Sequence, residues 1–262
     1  MRRNLGQDKG QHLLVEKEVI DKEIKLSELS GRDCVLEIGA GSGNLTKELA
    51  RTKAKVTSYE IDLRFQRELS EIAKQYPNLS IVYSDALKGD WRGFNKIVSN
   101  IPYHLSEQTI TKAIISDIPD LFLIVGEKFK EKLVLETKIG LVARKFYDVQ
   151  PIIFVGRENF FPVPRVDSWL IHLKKKKNIK EIDRILLDII FSKGKIKNAL
   201  LKFYISEGKT KNEAKACLAG VGLGEQVLEK PSKMITAKLV LKLKDVLERQ
   251  LNKDGRNPGG NL

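Results

Sequence analysis

The stretch that decides the fold is Glu37-Ile38-Gly39-Ala40-Gly41-Ser42-Gly43, which ends a β-rich apolar run and opens a helical pattern. Glycines let the backbone turn tightly and approach a ligand, and the following helix start offers free amide groups. A dinucleotide fingerprint requires a third glycine where Asn44 or Thr46 stands. The stretch therefore disfavours nicotinamide cofactors, and it predicts that Gly39 and Gly41 contact a different nucleoside ligand.

On both sides of this stretch, short apolar runs alternate with segments of helical periodicity. The predicted strands cover residues 34–38, 55–61, 79–83, 96–99 and 121–125. The predicted helices cover residues 15–29, 44–51, 63–75 and 107–116. Because alternating strands and helices are joined by crossover connections, we predict a doubly wound, Rossmann-like α/β domain with a mostly parallel sheet.

The second half of the chain changes from strands to helices. A helix is predicted over residues 129–146, followed by an antiparallel strand pair over 149–155 and 166–173 at one sheet edge. After the lysine run 174–177, helices are predicted over 182–191, 196–205, 211–219 and 235–251. We therefore expect a Rossmann-like domain over 1–177, a small C-terminal helical domain over 178–252 and a polar, disordered tail over 253–262.

Composition and charge restrict the class of protein. The net charge of +13 attracts a polyanion such as nucleic acid or an anionic membrane, although lysines that merely solvate helix faces explain it equally well. No apolar run reaches the roughly 20 residues of a membrane span, and the first ten residues lack the apolar centre of a signal peptide. Cys34 and Cys217 have no metal-ligand spacing. We expect a cytoplasmic protein without a metal site.

Three carboxylates indicate which nucleoside is bound. Glu37 would repel a pyrophosphate but suits a cationic amino group, which S-adenosylmethionine carries. Glu60 lies at the carboxyl end of the second predicted strand, where a carboxylate takes ribose hydroxyls in this topology. After the third strand, Asp85, followed by Ala86, is placed to accept a hydrogen bond from the adenine amine. Each residue alone is a common loop residue, but their order along the chain favours S-adenosylmethionine.

The fourth predicted strand ends in Asn100-Ile101-Pro102-Tyr103. The exocyclic amine of adenine is a poor nucleophile because its lone pair is delocalised into the ring. The side-chain oxygen of Asn100 and the backbone carbonyl of Ile101 can each accept one amine hydrogen and so localise that lone pair. Pro102 fixes the backbone, and Tyr103 offers a flat face for the base. Taken alone, such a tetrapeptide is more often a plain proline turn. Its position at the end of the fourth strand, after the predicted cofactor residues, favours methylation of an adenine amine.

Together these residues resemble the ribosomal RNA adenine dimethyltransferases of the KsgA/RsmA family, with archaeal-like features, and the related Erm methyltransferases. The segment 10–14 is similar to the family's G-Q-[NH]-F-L motif, which implies cofactor contacts from Gln11, His12 and Leu14. The resemblance implies further cofactor contacts, at Gly39, Glu60, Asp85 and Asn100.

Two later segments also resemble the family. Residues 160–168 are similar to F-x-P-x-P-[KR]-V-x-S, which implies that Phe160 stacks on the adenine opposite Tyr103. The alternative for one of the two rings is a hydrophobic plug in which Phe161 is buried. Residues 191–200 resemble the family's basic helix, with Gly194 in place of an expected arginine. The predicted phosphate contacts are basic residues at positions 2, 3, 9, 174–177, 193, 195 and 197.

These expectations combine into one function with alternatives. We predict S-adenosylmethionine-dependent methylation, with dimethylation favoured, of adenine in small-subunit ribosomal RNA, by a monomer acting on a pre-ribosomal small subunit. The substrate adenine must be unpaired or flipped out. An Erm-type enzyme for large-subunit RNA and a non-catalytic RNA-binding assembly factor are the alternatives. A DNA adenine methyltransferase ranks third, because the chain lacks a large recognition domain.

Overall fold

The computed structural model describes residues 12–253 of the chain. The predicted contact Gln11, the basic residues Arg2, Arg3 and Lys9, and residues 254–262 of the predicted tail lie outside the described residues. Within the described part, the chain forms two compact units, one from residues 12–134 and 147–175 and the other from 135–146 and 176–253. No described helix is both long enough and apolar enough to cross a membrane.

The first unit is built on a seven-stranded sheet with a two-stranded ribbon beside it. The strands are β1 Leu13–Leu14, β2 Cys34–Ile38, β3 Lys55–Tyr59, β4 Leu79–Val82, β5 Lys96–Asn100, β6 Asp120–Gly126, β7 Tyr147–Val155, β8 Phe160–Phe161 and β9 Ser168–Lys175. The helices are α1 Lys17–Leu26, α2 Asn44–Ala50, α3 Gln66–Gln75, α4 Ser106–Ile115 and α5 Glu127–Val134. The predicted α/β class is confirmed.

The strand order β4-β3-β2-β5-β6-β9-β7 creates the position for a ligand. The chain runs outward from β2 to β3 and β4 on one side, then returns to β5 and β6 on the other. Helices on opposite faces leave a crevice at such a reversal, beyond the carboxyl ends of the strands. Strand β9 is antiparallel to both of its neighbours. The glycine turn after β2 and the tetrapeptide that begins at the end of β5 therefore meet at this crevice.

The core explains why these runs become strands. Val35 and Leu36 on β2 and Ile97 on β5 have no solvent exposure, as expected for strands covered on both faces. One face of the sheet packs against Leu45 and Leu49 of α2. Burial of each such side chain stabilises the fold by roughly 1.5–3 kcal/mol.

The helix predicted over 129–146 is wrong as a single element. It consists of α5 and a separate helix, α6 Lys138–Phe146, with a break at residues 135–137. Thr137 begins α6 as its cap, because its Oγ1 accepts from the amide of Gly140 at 3.1 Å and its carbonyl accepts from Leu141 at 2.8 Å. Helix α6 belongs to the second unit, so that unit contains an insertion from the middle of the sequence.

The second unit is helical. Besides α6 it contains α7 Glu181–Phe191, α8 Ile196–Ser206, α9 Lys211–Ala219, α10 Glu225–Leu228 and α11 Ala237–Lys253. Ile182 and Leu243 are fully buried, so the apolar stripes of α7 and α11 face its core. Thr210 and Glu213 form a capping box at the start of α9. The short α10 is absent from the sequence-based expectation, because four residues carry no measurable periodicity.

Candidate active site

The glycine turn after β2 adopts backbone angles that favour glycine. Gly39 has φ +78°, and a Cβ built there would lie 3.4 Å from the ring of Pro102. Gly41 has φ +55°, and its Cβ would lie only 2.5 Å from Leu13 Cδ2. A side chain at either position would be strained. The two glycines therefore let the turn contact both β1 and the N-I-P-Y tetrapeptide.

A cleft of about 500 Å³ opens beside this turn. Its volume lies in the range typical of small-molecule and cofactor sites. The structure brings together eight residues predicted from sequence, namely His12, Gly39, Gly41, Glu60, Asp85, Ala86, Asn100 and Pro102. It adds others that the sequence analysis did not select, among them Leu13, Ile61, Leu105 and Gln108. Leu13 and Ile61 each directly follow a predicted residue, and Leu105 and Gln108 lie shortly after the tetrapeptide. That proximity along the chain is the signal that could have identified them.

Glu60 is held in place by backbone amides. It is only 4% exposed, and its Oε2 accepts from the amide of Gly41 and its Oε1 from the amide of Asp62, both at 2.7 Å. Glu60 therefore ties the glycine turn to the end of β3. Each carboxylate oxygen has two acceptor sites, so capacity for ribose hydroxyls remains.

The loop after β4 is also held from behind. Asp85 Oδ1 accepts from the amide of Leu87 at 2.9 Å and caps a short turn that borders the cleft. Lys112 on α4 donates to the carbonyls of Leu87 at 2.6 Å, Gly89 at 2.5 Å and Ala86 at 3.3 Å. The Lys112 ammonium also lies 4.7 Å from the Trp91 ring, and burial lowers the pKa of Lys112. In the sequence, Lys112 looked like any solvated helix lysine.

We expect Lys112→Met to raise KM for S-adenosylmethionine about ten-fold with little change in kcat. The substitution removes the charged donor that shapes the Asp85 loop but touches no reacting atom, and hydrogen bonds to charged groups contribute about 1.5–3 kcal/mol. Initial rates at varied cofactor concentration would measure the split. Lys47, a lysine on α2 outside this cleft, provides a matched control as Lys47→Met. An equal KM for Lys112→Met and wild type would contradict the role.

Asn100, the last residue of β5, carries the clearest chemical signal. Its Oδ1 is buried and has no hydrogen-bond partner among the described residues, although the residue borders the cleft. A buried acceptor without a partner costs about 1–3 kcal/mol, so such atoms are rare unless a ligand uses them. The next residue, Ile101, is 2% exposed, and its amide donates to the Ile124 carbonyl at 3.3 Å. This backbone contact anchors the tetrapeptide to β6.

Tyr103 is held by three contacts. Its hydroxyl lies 2.7 Å from Ser168 Oγ, its ring packs against Gly126, and its centroid lies 6.1 Å from the His12 ring at an interplanar angle of 28°. Burial raises the pKa of Tyr103, so the phenol stays neutral. The neighbouring His104 borders the cleft and is exposed.

Glu37 lies deeper than the cleft. It is 2% exposed, and its Oε2 accepts from the hydroxyls of Thr46 at 2.7 Å and Ser58 at 2.5 Å. Burial raises the pKa of Glu37 to about 7, with a smaller contribution from the charge of Glu60. Glu37 borders a small cavity of about 30 Å³ together with His12, Gly39 and Asn100, all three of which also border the cleft.

The ribbon of β1 and β8 forms where a plain turn was expected, and it places the side chains of two predicted contacts in the core. Leu14 pairs with Phe160, and both side chains point into the core with only 3% exposure. Leu14 borders only the small cavity, whereas Leu13 lines the cleft. Phe160 therefore presents no open stacking face. The alternative of a buried Phe161 is also wrong, because the Phe161 ring is 43% exposed. The strand alternation that decides this is too short to see in the sequence.

Several lysines predicted to contact phosphates are engaged in ion pairs or hydrogen bonds. Lys195 and Lys197 both pair with Glu229 and lower the pKa of that carboxyl. Lys175 pairs with Asp117, and Lys176 donates to the Arg144 carbonyl at 2.7 Å. These side chains are held locally, which reduces their freedom to follow an RNA backbone.

The strand order, the crevice beside the glycine turn and the orphaned acceptor at the end of β5 define a Rossmann-like methyltransferase that uses S-adenosylmethionine. The protein belongs to the ribosomal RNA adenine dimethylase family, whose family model matches residues 2–217. It is an enzyme of that family. The KsgA/RsmA resemblance is thereby confirmed.

Individual relatives agree with this assignment. The ribosomal RNA small subunit methyltransferase A of Thermotoga maritima is 32% identical over 74% of this chain and 74% of its own length. The "Probable ribosomal RNA small subunit methyltransferase A" of Thermococcus gammatolerans is 32% identical over 83% of this chain and 81% of its own. A crystal structure of a dimethyladenosine transferase from Plasmodium falciparum superposes with a TM-score of 0.65 at 28% identity, covering 94% of this chain and all of that one.

Proposed function

We propose that this protein dimethylates the exocyclic amine of adenine in small-subunit ribosomal RNA, with Asn100 and Ile101 as the amine-binding residues. The observation that carries the proposal is the buried, unpartnered Oδ1 of Asn100 at the cleft. Relatives named as small-subunit enzymes support the choice of RNA. The names of these relatives also favour the small subunit over the Erm-type alternative.

The cofactor's part is to supply an electrophilic methyl group on a sulfonium. The cleft residues suit a nucleoside of this kind, because Glu60 offers acceptors for ribose hydroxyls and Asp85 an acceptor for an adenine amine. Glu37, at the adjoining small cavity, suits the cationic amino group. Gly39 and Gly41 let the backbone approach the bound molecule.

The residues of the tetrapeptide act on the substrate base. Asn100 Oδ1 and the Ile101 carbonyl each accept one hydrogen of the adenine amine, which holds the nitrogen lone pair out of the ring. Tyr103 supplies a flat face that keeps the base in position. Transfer would form the nitrogen–carbon bond as the methyl–sulfur bond of the sulfonium breaks and leaves a neutral thioether. The surplus proton on the nitrogen would then leave to water, so no strong base is needed. Catalysis on the protein's side consists of orientation and of fixed acceptors.

The substrate is an unpaired or flipped adenine, because a base inside a duplex cannot reach the cleft. With Phe160 in the core, the exposed ring of Phe161 is the candidate for the second stacking face. We further propose that the partner is a pre-ribosomal small subunit in the cytoplasm, that the enzyme acts as a monomer of 29.7 kDa, and that its helical unit contributes RNA contacts.

The test uses undermethylated small ribosomal subunits, purified large subunits and S-adenosylmethionine carrying a labelled methyl group. We expect label in small-subunit RNA only, and mass spectrometry of the digested RNA should show dimethyladenosine. Sedimentation of the enzyme should give the mass of one chain. Label confined to large-subunit RNA would overturn the substrate assignment in favour of an Erm-type activity, and cofactor binding without transfer to either RNA would favour an assembly factor.

A further inference from the structure

A pair of aromatic rings stands at the sheet edge formed by β7 and β9. Phe154 on β7 is the register partner of Trp169 on β9, and their ring centroids lie 5.6 Å apart at an interplanar angle of 75°. Phe154 is 52% exposed even though it is apolar. In the part of the chain that the structure describes, β7 is the last strand of the sheet, so no described strand covers this edge. Trp169 is partly buried, so the pair forms an apolar patch whose exposed part is Phe154, and an apolar patch at the surface can mark a binding site.

A cation lies over the face of Trp169, which leaves the exposed ring of Phe154 as the face available to a base. The ammonium of Lys130, on α5, lies 4.7 Å from the centre of the Trp169 ring. A base stacks on an aromatic face, and a cation attracts the adjoining phosphate, so a ring with a neighbouring lysine matches a nucleotide on both counts. An apolar protein partner would use the rings but would gain nothing from the charge. The net charge of +13 on the chain also favours a polyanion over a second copy.

The aromatic pair lies close to the proposed base-binding residues. Trp169 directly follows Ser168, whose hydroxyl holds the Tyr103 phenol at 2.7 Å. Ser168 is paired with Gly126, at the carboxyl end of β6, so both residues stand at the end of the sheet where the cleft opens. Because successive side chains on a strand point to opposite faces, Trp169 lies on the other side of this rim. An RNA strand that places its adenine on Tyr103 passes this rim within a few nucleotides.

We propose that Phe154, Trp169 and Lys130 form a second stacking surface, which binds an unpaired nucleotide of the RNA substrate close to the target adenine. The proposal rests on the proposed function, since it assumes that RNA is the substrate. The surface increases the affinity for RNA and fixes the position of the strand relative to the target adenine, but it takes no part in methyl transfer. It therefore acts on KM for RNA and leaves cofactor binding unchanged.

The experiment compares Phe154→Ser with wild type on undermethylated small ribosomal subunits at saturating S-adenosylmethionine. Loss of one stacked base is expected to raise KM for the subunits about ten-fold. The KM for S-adenosylmethionine should stay unchanged, and the thermal midpoint should fall only slightly, because Phe154 is about half exposed and loses only its contact with Trp169. Phe154→Tyr, which keeps the ring, should remain within two-fold of wild type. Ile152→Ser is the matched control, because Ile152 is a second exposed apolar residue on β7, at 36% exposure, without a ring.

A second substitution tests the cation. Lys130→Met should raise KM for the subunits and reduce its dependence on salt, whereas Lys128→Met on the same helix should have a smaller effect.

Equal KM values for Phe154→Ser and wild type would overturn the proposal, and so would an Ile152→Ser effect as large as that of Phe154→Ser. A wild-type dimer that Phe154→Ser dissociates would show that a second copy covers this surface. If the wild type methylates no RNA at all, the proposed function itself fails.

Discussion

Asn100→Ala is expected to lower kcat for RNA methylation by about 10²- to 10³-fold, the usual loss when one preorganised polar group that acts on the reacting atoms is removed. The amine would keep only the Ile101 carbonyl as an acceptor, and its lone pair would return to the ring. Single-turnover rates with saturating enzyme would measure the loss without interference from product release. The same variant should also show an unusual stability signature, which is a thermal midpoint no lower than that of the wild type.

That signature distinguishes a catalytic role from a structural one. Because Asn100 Oδ1 has no partner among the described residues, its removal should leave the thermal midpoint unchanged or raise it. Asn100→Asp retains an acceptor at the same position and should keep at least ten-fold more activity than Asn100→Ala. An Asn100→Ala protein that methylates at the wild-type rate would refute the amine-binding role, and one that is inactive only because it unfolds would show that the side chain is structural.

The affinity for S-adenosylmethionine is expected to fall as the pH drops below about 7. Burial raises the pKa of Glu37 to about 7, while Thr46 and Ser58 donate to the carboxylate and partly oppose that rise. The ligand's ammonium group requires the ionised form, so below this pKa binding must first remove a proton. Each unit by which the pH falls below 7 then weakens binding about ten-fold, so the affinity at pH 5 is about 100-fold lower than at pH 7. Above roughly pH 8 the ligand's own amino group loses its charge, so affinity should peak between these limits.

Calorimetric titration with S-adenosylmethionine between pH 5 and 8.5 would measure this profile. The charge of Glu60, at the end of β3, contributes to the raised pKa of Glu37, and the charge of Glu37 in turn raises the pKa of Glu23, which is fully buried on α1. Burial raises the pKa of Glu23 well above its ordinary value, which favours the neutral form of this carboxyl. Glu37→Gln should bind weakly with no slope between pH 5 and 7. An unchanged slope in Glu37→Gln would assign the titration to another group.

The parts of the site that the sequence predicted share one property. The glycine turn, Glu60, the Asp85 loop and the tetrapeptide each directly follow or end a predicted strand. Parallel strands place their carboxyl ends at one edge, so the order of these motifs along the chain already implied that they meet. The residues that the sequence did not predict form contacts with parts of the chain that are distant in sequence. Lys112 reaches three carbonyls at least 23 positions earlier, and nothing in its own helix distinguishes it from a solvated lysine.

The sequence by itself therefore determined the α/β class, the strand-to-helix turn for the cofactor and the amine chemistry of the tetrapeptide, because these depend on local periodicity and on side-chain type. Only the tertiary structure decided that Phe160 is core while Phe161 is exposed, and that α6 joins the helical unit. It also decided that Phe154 and Trp169 stand together at an open edge. Each of these outcomes depends on which strand or helix lies opposite, and pairing across about 150 residues, as between Leu14 and Phe160, leaves no local trace in the sequence.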